Sequence, residues 1–150
     1  MGMKPESAYI ASINKLLPLK KLKGNAAVRA KFQTAQHIHY EKMHNDYRGG
    51  TADCWYSGLK GDCWIEFKFI PRIPQRVNVK PLELLSALQV DWLNERFVEG
   101  RNVAVIVGCP TGGVLLTGGE WMSEISPQDF TNLIQSRKNL ADWILEQTTR

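Results

Sequence analysis

The chain has 150 residues, of which 43% are hydrophobic and 23% charged, so it holds enough apolar material for one packed domain and is unlike a disordered protein. It has no run of about 18 apolar residues and starts with a polar segment, so we expect neither a transmembrane helix nor a signal peptide and predict a cytoplasmic protein. The three cysteines match no CxxC pair, which argues against a disulfide framework and a structural zinc site, and the formal charge of +4 weakly favours a polyanionic partner.

The first predicted element is a helix over residues 5–17, with Pro5 in its first turn and Pro18 after its end. Glu6 lies four residues before Ile10, so the two side chains share the face that carries the apolar residues of this helix. The Glu6 carboxylate is therefore either an acid that the helix dipole favours in the first turn or a functional acid that points towards the core. Helix statistics alone favour the dipole interpretation.

The remaining predicted elements follow in an order typical of a single compact α/β domain with a central mixed sheet flanked by helices. They are a strand over 37–43, two strands around a turn at 58–61, a rigid basic loop over 71–76, a helix over about 86–98, a buried strand over 102–108 with a short partner at 114–116, and a helical region over about 126–147 that begins at Ser126-Pro127.

Among the charged residues of the two strands around the turn at 58–61, three stand where a core sheet would favour apolar residues: Asp53, Glu66 and Lys68. Side-chain alternation puts Glu66 and Lys68 on one face of their strand, opposite the set that we assign to the core, and the hairpin brings Asp53 onto the neighbouring strand. An exposed Glu–Lys pair is usually a solvated pair worth roughly a few tenths of a kcal/mol. Here the apolar flanks place the charges at the centre of a sheet, and Gly50 lets another backbone or a phosphate come close to Asp53.

These residues resemble a known signature. The stretch Gly50-Thr51-Ala52-Asp53, a spacer of twelve residues and Glu66-Phe67-Lys68 are similar to the motif of the PD-(D/E)XK nucleases, with Ala52 in place of the commoner proline. The acid Glu6 in an N-terminal helix and the stretch 85–92 at the start of the next helix are similar to the VRR-NUC branch, the virus-type replication-repair nucleases, especially its small stand-alone phage forms. The resemblance covers about residues 6–109. It implies one domain over 1–150, with a restriction-endonuclease-like αβββαβ core over about 5–118 and a C-terminal helical extension over about 126–147.

Gln89 has two interpretations. Ser86-x-x-Gln89 is a capping box, in which the glutamine side chain bonds back to the N–H of the cap residue, and the sequence alone favours that role. The resemblance implies instead a glutamine at this helix start that faces the active site. The two roles are compatible in different states.

The resemblance implies a catalytic set of Glu6, Asp53, Glu66, Lys68 and Gln89. A Mg²⁺ or Mn²⁺ ion suits a phosphodiester-cleaving site built from carboxylates, and its protein ligands would be Asp53, Glu66, the backbone carbonyl of Phe67, and Glu6 directly or through water. Lys68 would orient or deprotonate the attacking water, or stabilise charge on the phosphate.

Five basic residues are candidates for contacts with the DNA backbone, although each is also consistent with a plain solvated side chain. They are Lys42, Arg48, Arg72, Arg76 and Lys80.

The leading functional hypothesis is a metal-dependent DNA endonuclease that selects a DNA structure such as a Holliday junction, a flap or another branch, in phage replication, recombination or repair in the host cytoplasm. Resolution of a junction needs two paired cuts, so we expect a homodimer, with the helical region from Ser126 onward as a candidate interface. Two alternatives stay open: a catalytically silent nucleic-acid-binding or assembly module with the same fold, and a sequence-specific restriction-type endonuclease.

Overall fold

The computed structural model describes residues 4–20, 37–43 and 50–150. These residues form the predicted α/β domain, in which a mixed sheet is flanked by helices. In chain order the elements are α1 (Pro5–Asn14), β1 (His39–Lys42), β2 (Cys54–Ser57), β3 (Asp62–Phe69), α2 (Pro81–Leu84), α3 (Ala87–Val98), β4 (Val103–Cys109), β5 (Gly112–Leu116), a 3₁₀ helix (Glu120–Met122), α4 (Pro127–Leu133) and α5 (Arg137–Thr148).

The strands lie side by side in the order β1-β2-β3-β4-β5. Strands β3 and β4 run parallel, and the other three neighbouring pairs run antiparallel. The predicted hairpin is confirmed: its loop over 58–61 is closed by a bond of 2.9 Å from the Gly58 N–H to the Gly61 carbonyl. The parallel step from β3 to β4 needs a long crossover, which the chain makes through α2 and α3.

Strand β3 is buried on both faces, whereas the sequence led us to assign it a single core face. One face packs Phe67 against α1 and α5, and the other packs beside Leu93 of α3 and Phe130 of α4. Side-chain alternation predicts correctly which residues of β3 share a face. It does not reveal that helices from two distant parts of the chain cover the two faces of this strand. The face that carries Glu66 is therefore a second core face.

Several predicted boundaries move in the structure. Helix α1 ends at Asn14, three residues early, because the N–H groups of Leu16 and Leu17 turn to the carbonyls of Ile13 and Asn14 in a tighter turn. Strand β1 is shorter than the predicted 37–43 at both ends.

The C-terminal helical region consists of two helices on opposite faces of the sheet. The Ser126 side chain caps α4 and the Ser136 side chain caps α5, each by accepting a main-chain N–H bond three residues on. Leu140 and Ile144 of α5 are fully buried in the cluster formed with α1. The apolar faces of both helices therefore pack on their own sheet.

Two exclusions from composition can be compared with the structure. All three cysteines are buried and free, as expected of small apolar residues. Among the helices of the described ranges, none combines the length and apolar character that crossing a membrane requires.

Candidate active site

The candidate site lies where the ladder between β2 and β3 ends. The last paired residues are Cys54 and Ile65. The next N–H along, that of Asp53, instead donates to the side chain of Glu66, with 2.9 Å to Oε2. The sheet thus opens beside the second half of β3, and side chains from α1 and α3 reach the opening from opposite faces.

Glu66 is the buried centre of this arrangement, with 0% of the residue exposed. Its Oε2 accepts the Asp53 N–H, and its Oε1 accepts a bond of 2.7 Å from the Gln89 side-chain amide. The Lys68 ammonium lies 3.5 Å from the same Oε1, and 20% of the Lys68 side chain is exposed. The pair is therefore enclosed, and the solvated surface pair considered from sequence does not describe it.

The surroundings of Glu66 disfavour its charged form. Burial, and next the negative charge of Asp53, raise the pKa of Glu66 to about 8. The Lys68 charge and the hydrogen bond from the Asp53 backbone act in the opposite direction but are outweighed. A second positive charge at this place would favour the ionised carboxylate.

Asp53 is held at its main chain, whereas one oxygen of its carboxylate has no hydrogen-bond donor among the described residues. Its carbonyl accepts the Met43 N–H at 2.6 Å, which ties the end of β1 to this point. Its Oδ2 is buried and accepts no hydrogen bond from the described part of the chain. A buried carboxylate oxygen without a donor is costly, and it is a natural ligand for a hard cation.

Gly50 shows what approaches the loop before Asp53. Its φ is +98°, and a Cβ added there would lie 2.5 Å from the Leu88 carbonyl oxygen. The close approach that we expected is therefore to the first turn of α3. It fixes the start of α3 against the loop that carries Asp53.

Glu6 belongs to the same group of charges. Burial first, and then the Asp53 charge, raise the pKa of Glu6, while the charges of Lys68 and Lys42 lower it. A position in the first turn of a helix favours the charged form of an acid, whereas burial and the Asp53 charge oppose the charged form of Glu6. We call Glu6, Asp53 and Glu66 the acid cluster.

Gln89 forms the predicted capping box and also contacts Glu66. Its Oε1 accepts the Ser86 N–H at 2.9 Å, and its own N–H donates to Ser86 Oγ at 3.1 Å, which completes the capping box. Its Nε2 donates to Glu66 Oε1. The two interpretations are not alternatives, because each uses a different end of the same amide.

The backbone of Phe67 points towards the opening. The N–H groups of Trp64 and Ile70 donate to Asn102 and Gly108 on the β4 side, at 2.9 Å each. Since backbone groups of successive strand residues point to alternate sides, those of Phe67 face the β2 side, where Asp53 lies.

The acid cluster has the donor atoms that a divalent cation prefers, but its side chains are not arranged around a common point. The acid cluster offers hard oxygen donors, and the Asp53 charge raises the pKa of both Glu6 and Glu66. However, within residues 4–20, 37–43 and 50–150, no three His, Cys, Asp or Glu side chains are close enough together to hold a metal ion as they stand. Both oxygens of Glu66 also accept hydrogen bonds in this arrangement.

The structure describes four of the five predicted DNA-contacting residues, and all four are exposed. Lys42 is exposed at the end of β1 and close enough to lower the pKa of Glu6. Arg72 and Arg76 are exposed in the loop after β3, and Lys80 is exposed 3.7 Å from Glu83. Arg48 lies outside the described residues.

Sequence reasoning found the bond from the Ser86 N–H to the Gln89 side chain, because the capping-box pattern predicts it. It missed the position of one basic residue. Lys42 was assigned to phosphate contact, but no local pattern could place it beside Glu6, 36 positions earlier in the chain.

Comparison with known proteins adds one similarity. No family model matches the chain, and no curated protein matches it significantly. Among solved structures, the chain is similar to Hjc, a Holliday junction resolvase from the archaeal hyperthermophile Archaeoglobus fulgidus, with 14% sequence identity and a TM-score of 0.45. The match covers 71% of this chain and 87% of that chain. At this identity and TM-score it assigns no activity to this chain.

Proposed function

We propose that this protein is a DNA endonuclease that depends on Mg²⁺ or Mn²⁺ and hydrolyses phosphodiester bonds. The observation that carries the proposal is the buried Glu66, held by the Asp53 backbone and Gln89, beside Lys68 and the other two acids. A core without a chemical task would not keep such a group, since burying an acid next to another acid disfavours folding. The resemblance of Asp53, Glu66 and Lys68 to a nuclease signature points to the same chemistry.

Four groups would hold the cation: Asp53 and Glu66, the Phe67 carbonyl, and Glu6 directly or through water. When bound, the cation supplies charge neutralisation at the scissile phosphate and a more acidic water. Asp53 contributes a buried oxygen that lacks a donor among the described residues, which is the strongest single reason to place a cation here.

Lys68 supplies a positive charge beside Glu66. Its ammonium reaches Glu66 and remains partly exposed, so it can also donate to a phosphate oxygen or to a water at the surface. Gln89 keeps one oxygen of Glu66 in place by donating to it.

We further propose that the substrate is branched DNA, such as a four-way junction or a flap, and that the active form is a homodimer. Paired cuts across a junction require two sites related by symmetry. Because the apolar faces of α4 and α5 pack internally, the interface would use their outward faces.

A silent binding module is the rival function. Three acids beside a polyanion would weaken DNA binding unless a cation compensates for them, which favours the enzyme. The dependence of DNA binding on divalent ions therefore separates the two functions.

The test is a cleavage assay on four-way junction, flap, single-stranded and linear duplex DNA, with Mg²⁺, Mn²⁺ or EDTA. We expect metal-dependent cleavage that is strongest on a branched substrate. A Lys68→Ala protein purified in parallel controls for contaminating nuclease, since it should be inactive. Inactivity of the wild-type protein with every metal, together with metal-independent DNA binding, would support the silent module.

A further inference from the structure

Helix α3 begins in direct contact with the candidate site, and its cap residue faces the residue that holds Glu66. The Ser86 N–H, the Gln89 amide and the Glu66 carboxylate form a continuous chain, with 2.9 Å from the Ser86 nitrogen to Gln89 Oε1 and 2.7 Å from Gln89 Nε2 to Glu66 Oε1.

From this chain of contacts we propose that the main-chain N–H of Ser86 is a positioning group for the active site: it fixes the orientation of the Gln89 amide so that the NH₂ group, and not the oxygen, meets Glu66. This role rests on the proposed nuclease function. It differs from helix capping by the Ser86 hydroxyl, which acts on the Gln89 backbone N–H.

The argument depends on the asymmetry of an amide. A side-chain amide has an acceptor at one end and donors at the other, and rotation by 180° exchanges them. Rotation here would turn the NH₂ group towards the Ser86 N–H and the oxygen towards Glu66. The contact with Ser86 would then become repulsive, and so would the contact with the ionised Glu66 carboxylate. Since Ser86 N–H is purely a donor, it permits one orientation of Gln89 and excludes the other.

The surroundings reinforce this orientation. The Ser86 carbonyl accepts the Val90 N–H at 3.0 Å, so the cap residue is held by the first helical bond. The Leu88 carbonyl packs against Gly50 in the loop that leads to Asp53. The first turn of α3 is thereby held against the loop to one acid while Gln89 holds another.

The variant that tests the proposal is Ser86→Pro, because proline removes the N–H. Ser86 has φ −72°, and the preceding Leu85 is extended with ψ 142°, so the backbone already has the conformation that proline requires. The proline ring would also fill the position that the Gln89 oxygen uses. Ser86→Ala is the matched variant, since it removes the hydroxyl cap and keeps the N–H.

We expect Ser86→Pro and Gln89→Ala each to lower kcat at least about tenfold, and Ser86→Ala to lower it less than about threefold. The double variant Ser86→Pro with Gln89→Ala should be no slower than the slower single variant, because both changes remove one interaction. Ser126→Ala and Ser136→Ala, which remove equivalent caps far from the acid cluster along the chain, should lower the melting temperature as Ser86→Ala does and leave kcat unchanged.

A second measurement does not require nuclease activity. In nitrogen-15 NMR spectra, the Gln89 side-chain NH₂ signal, assigned by its loss in Gln89→Ala, should exchange slowly with water in the wild type and in Ser86→Ala. In Ser86→Pro it should exchange as fast as an exposed glutamine.

Additive losses of kcat in the double variant, or a slowly exchanging Gln89 amide in Ser86→Pro, would overturn the positioning role. If the wild-type protein cleaves no DNA, the nuclease proposal fails, and the NMR comparison alone then supports or overturns the positioning of Gln89.

Discussion

Strands β3 and β4 are parallel neighbours in the sheet, yet they differ in the residues that they bury. All seven residues of β4 are buried, and none carries a charge. In β3, Glu66 pairs in register with Val105 and Lys68 with Val107, so each charged residue stands beside a valine in an equivalent position. The valines show which residues this part of the core accepts without compensation.

The charged residues of β3 are expected to make the fold less stable than valines at the same positions would. A buried valine is favourable by the area that it removes from water, whereas buried Glu66 needs three partners and still has a raised pKa. We therefore interpret β4 as selected for packing and the second half of β3 as selected for chemistry. Changes at matched positions of the two strands should separate stability from activity.

The largest effect is expected from Asp53→Ala or Glu66→Ala. Each should reduce kcat/KM for DNA at least about 100-fold, equivalent to about 2.7 kcal/mol, because the cation loses a carboxylate ligand. The matched control is Val105→Ala, which should lower the free energy of unfolding by about 2 kcal/mol and keep kcat at temperatures where the protein is folded. Near wild-type cleavage by either acid variant would remove that residue from the site.

A smaller effect is expected at Glu6, which contacts the site from another element. Glu6→Gln should reduce the cleavage rate at least about tenfold and keep the melting temperature within a few degrees of wild type. Adding Ser7→Glu to this variant returns a negative charge to the first turn of α1 but rotates it by about 100°.

That second variant separates the two roles of Glu6. A carboxylate that served only the helix dipole would act equally well from position 7, so full activity in either variant would contradict the functional role of Glu6. Melting curves and cleavage rates measured on the same samples provide the comparison.

The pH dependence of stability should report on Glu66. The unfolded chain releases this proton near the ordinary pKa of 4.5 and the folded protein near 8, so the folded state holds an extra proton between these values. The free energy of unfolding of the metal-free protein should therefore fall as pH rises through this window, by about 1 kcal/mol per pH unit from this group.

Urea denaturation in EDTA at several pH values measures this slope. Glu66→Gln serves as the reference, because it lacks the titrating group, and the difference between the two proteins isolates Glu66. Adding Mg²⁺ should flatten the wild-type slope, since a cation favours the ionised form. Equal slopes for the two proteins in EDTA would contradict the raised pKa.

The smallest effect is expected in the basic loop after β3. Arg72→Ala and Arg76→Ala should each weaken binding to all DNA sequences and reduce the slope of log K against log salt by roughly 1. The control is Arg101→Ala. Arg101 is exposed just before β4. Because β3 and β4 are parallel, it lies at the opposite end of these strands from the loop after β3. A salt slope equal to wild type in the loop variants would show that these arginines touch no phosphate.

Local signals account for the elements that could be predicted. The hairpin followed from the glycines at 58 and 61, α3 from the capping box of Ser86 and Gln89, and β4 from its uninterrupted apolar run. These patterns depend on residues within a few positions of each other, so they are visible in the chain. The end of α1 at a tight turn and the division of residues 126–147 into two helices, the second capped by Ser136, were missed.

The sequence by itself determined which residues could meet within one hairpin, since the turn at 58–61 and strand alternation bring Asp53, Glu66 and Lys68 together. It also determined that Gln89 sits at a helix cap. Their catalytic roles, like those of Glu6 and the basic residues, stay predictions until the variants are measured.

Only the tertiary structure decided that Glu66 is buried and that Glu6 lies close enough to Asp53 and Lys42 for their charges to shift its pKa. It also decided that the Gln89 amide bonds to a helix cap and to a carboxylate at the same time. Each of these contacts joins segments far apart in the chain, and the helices that cover the two faces of β3 bring them together. Burial and the fields of neighbouring charges set the pKa of an acid, and both depend on that packing and not on the residues beside it in the sequence.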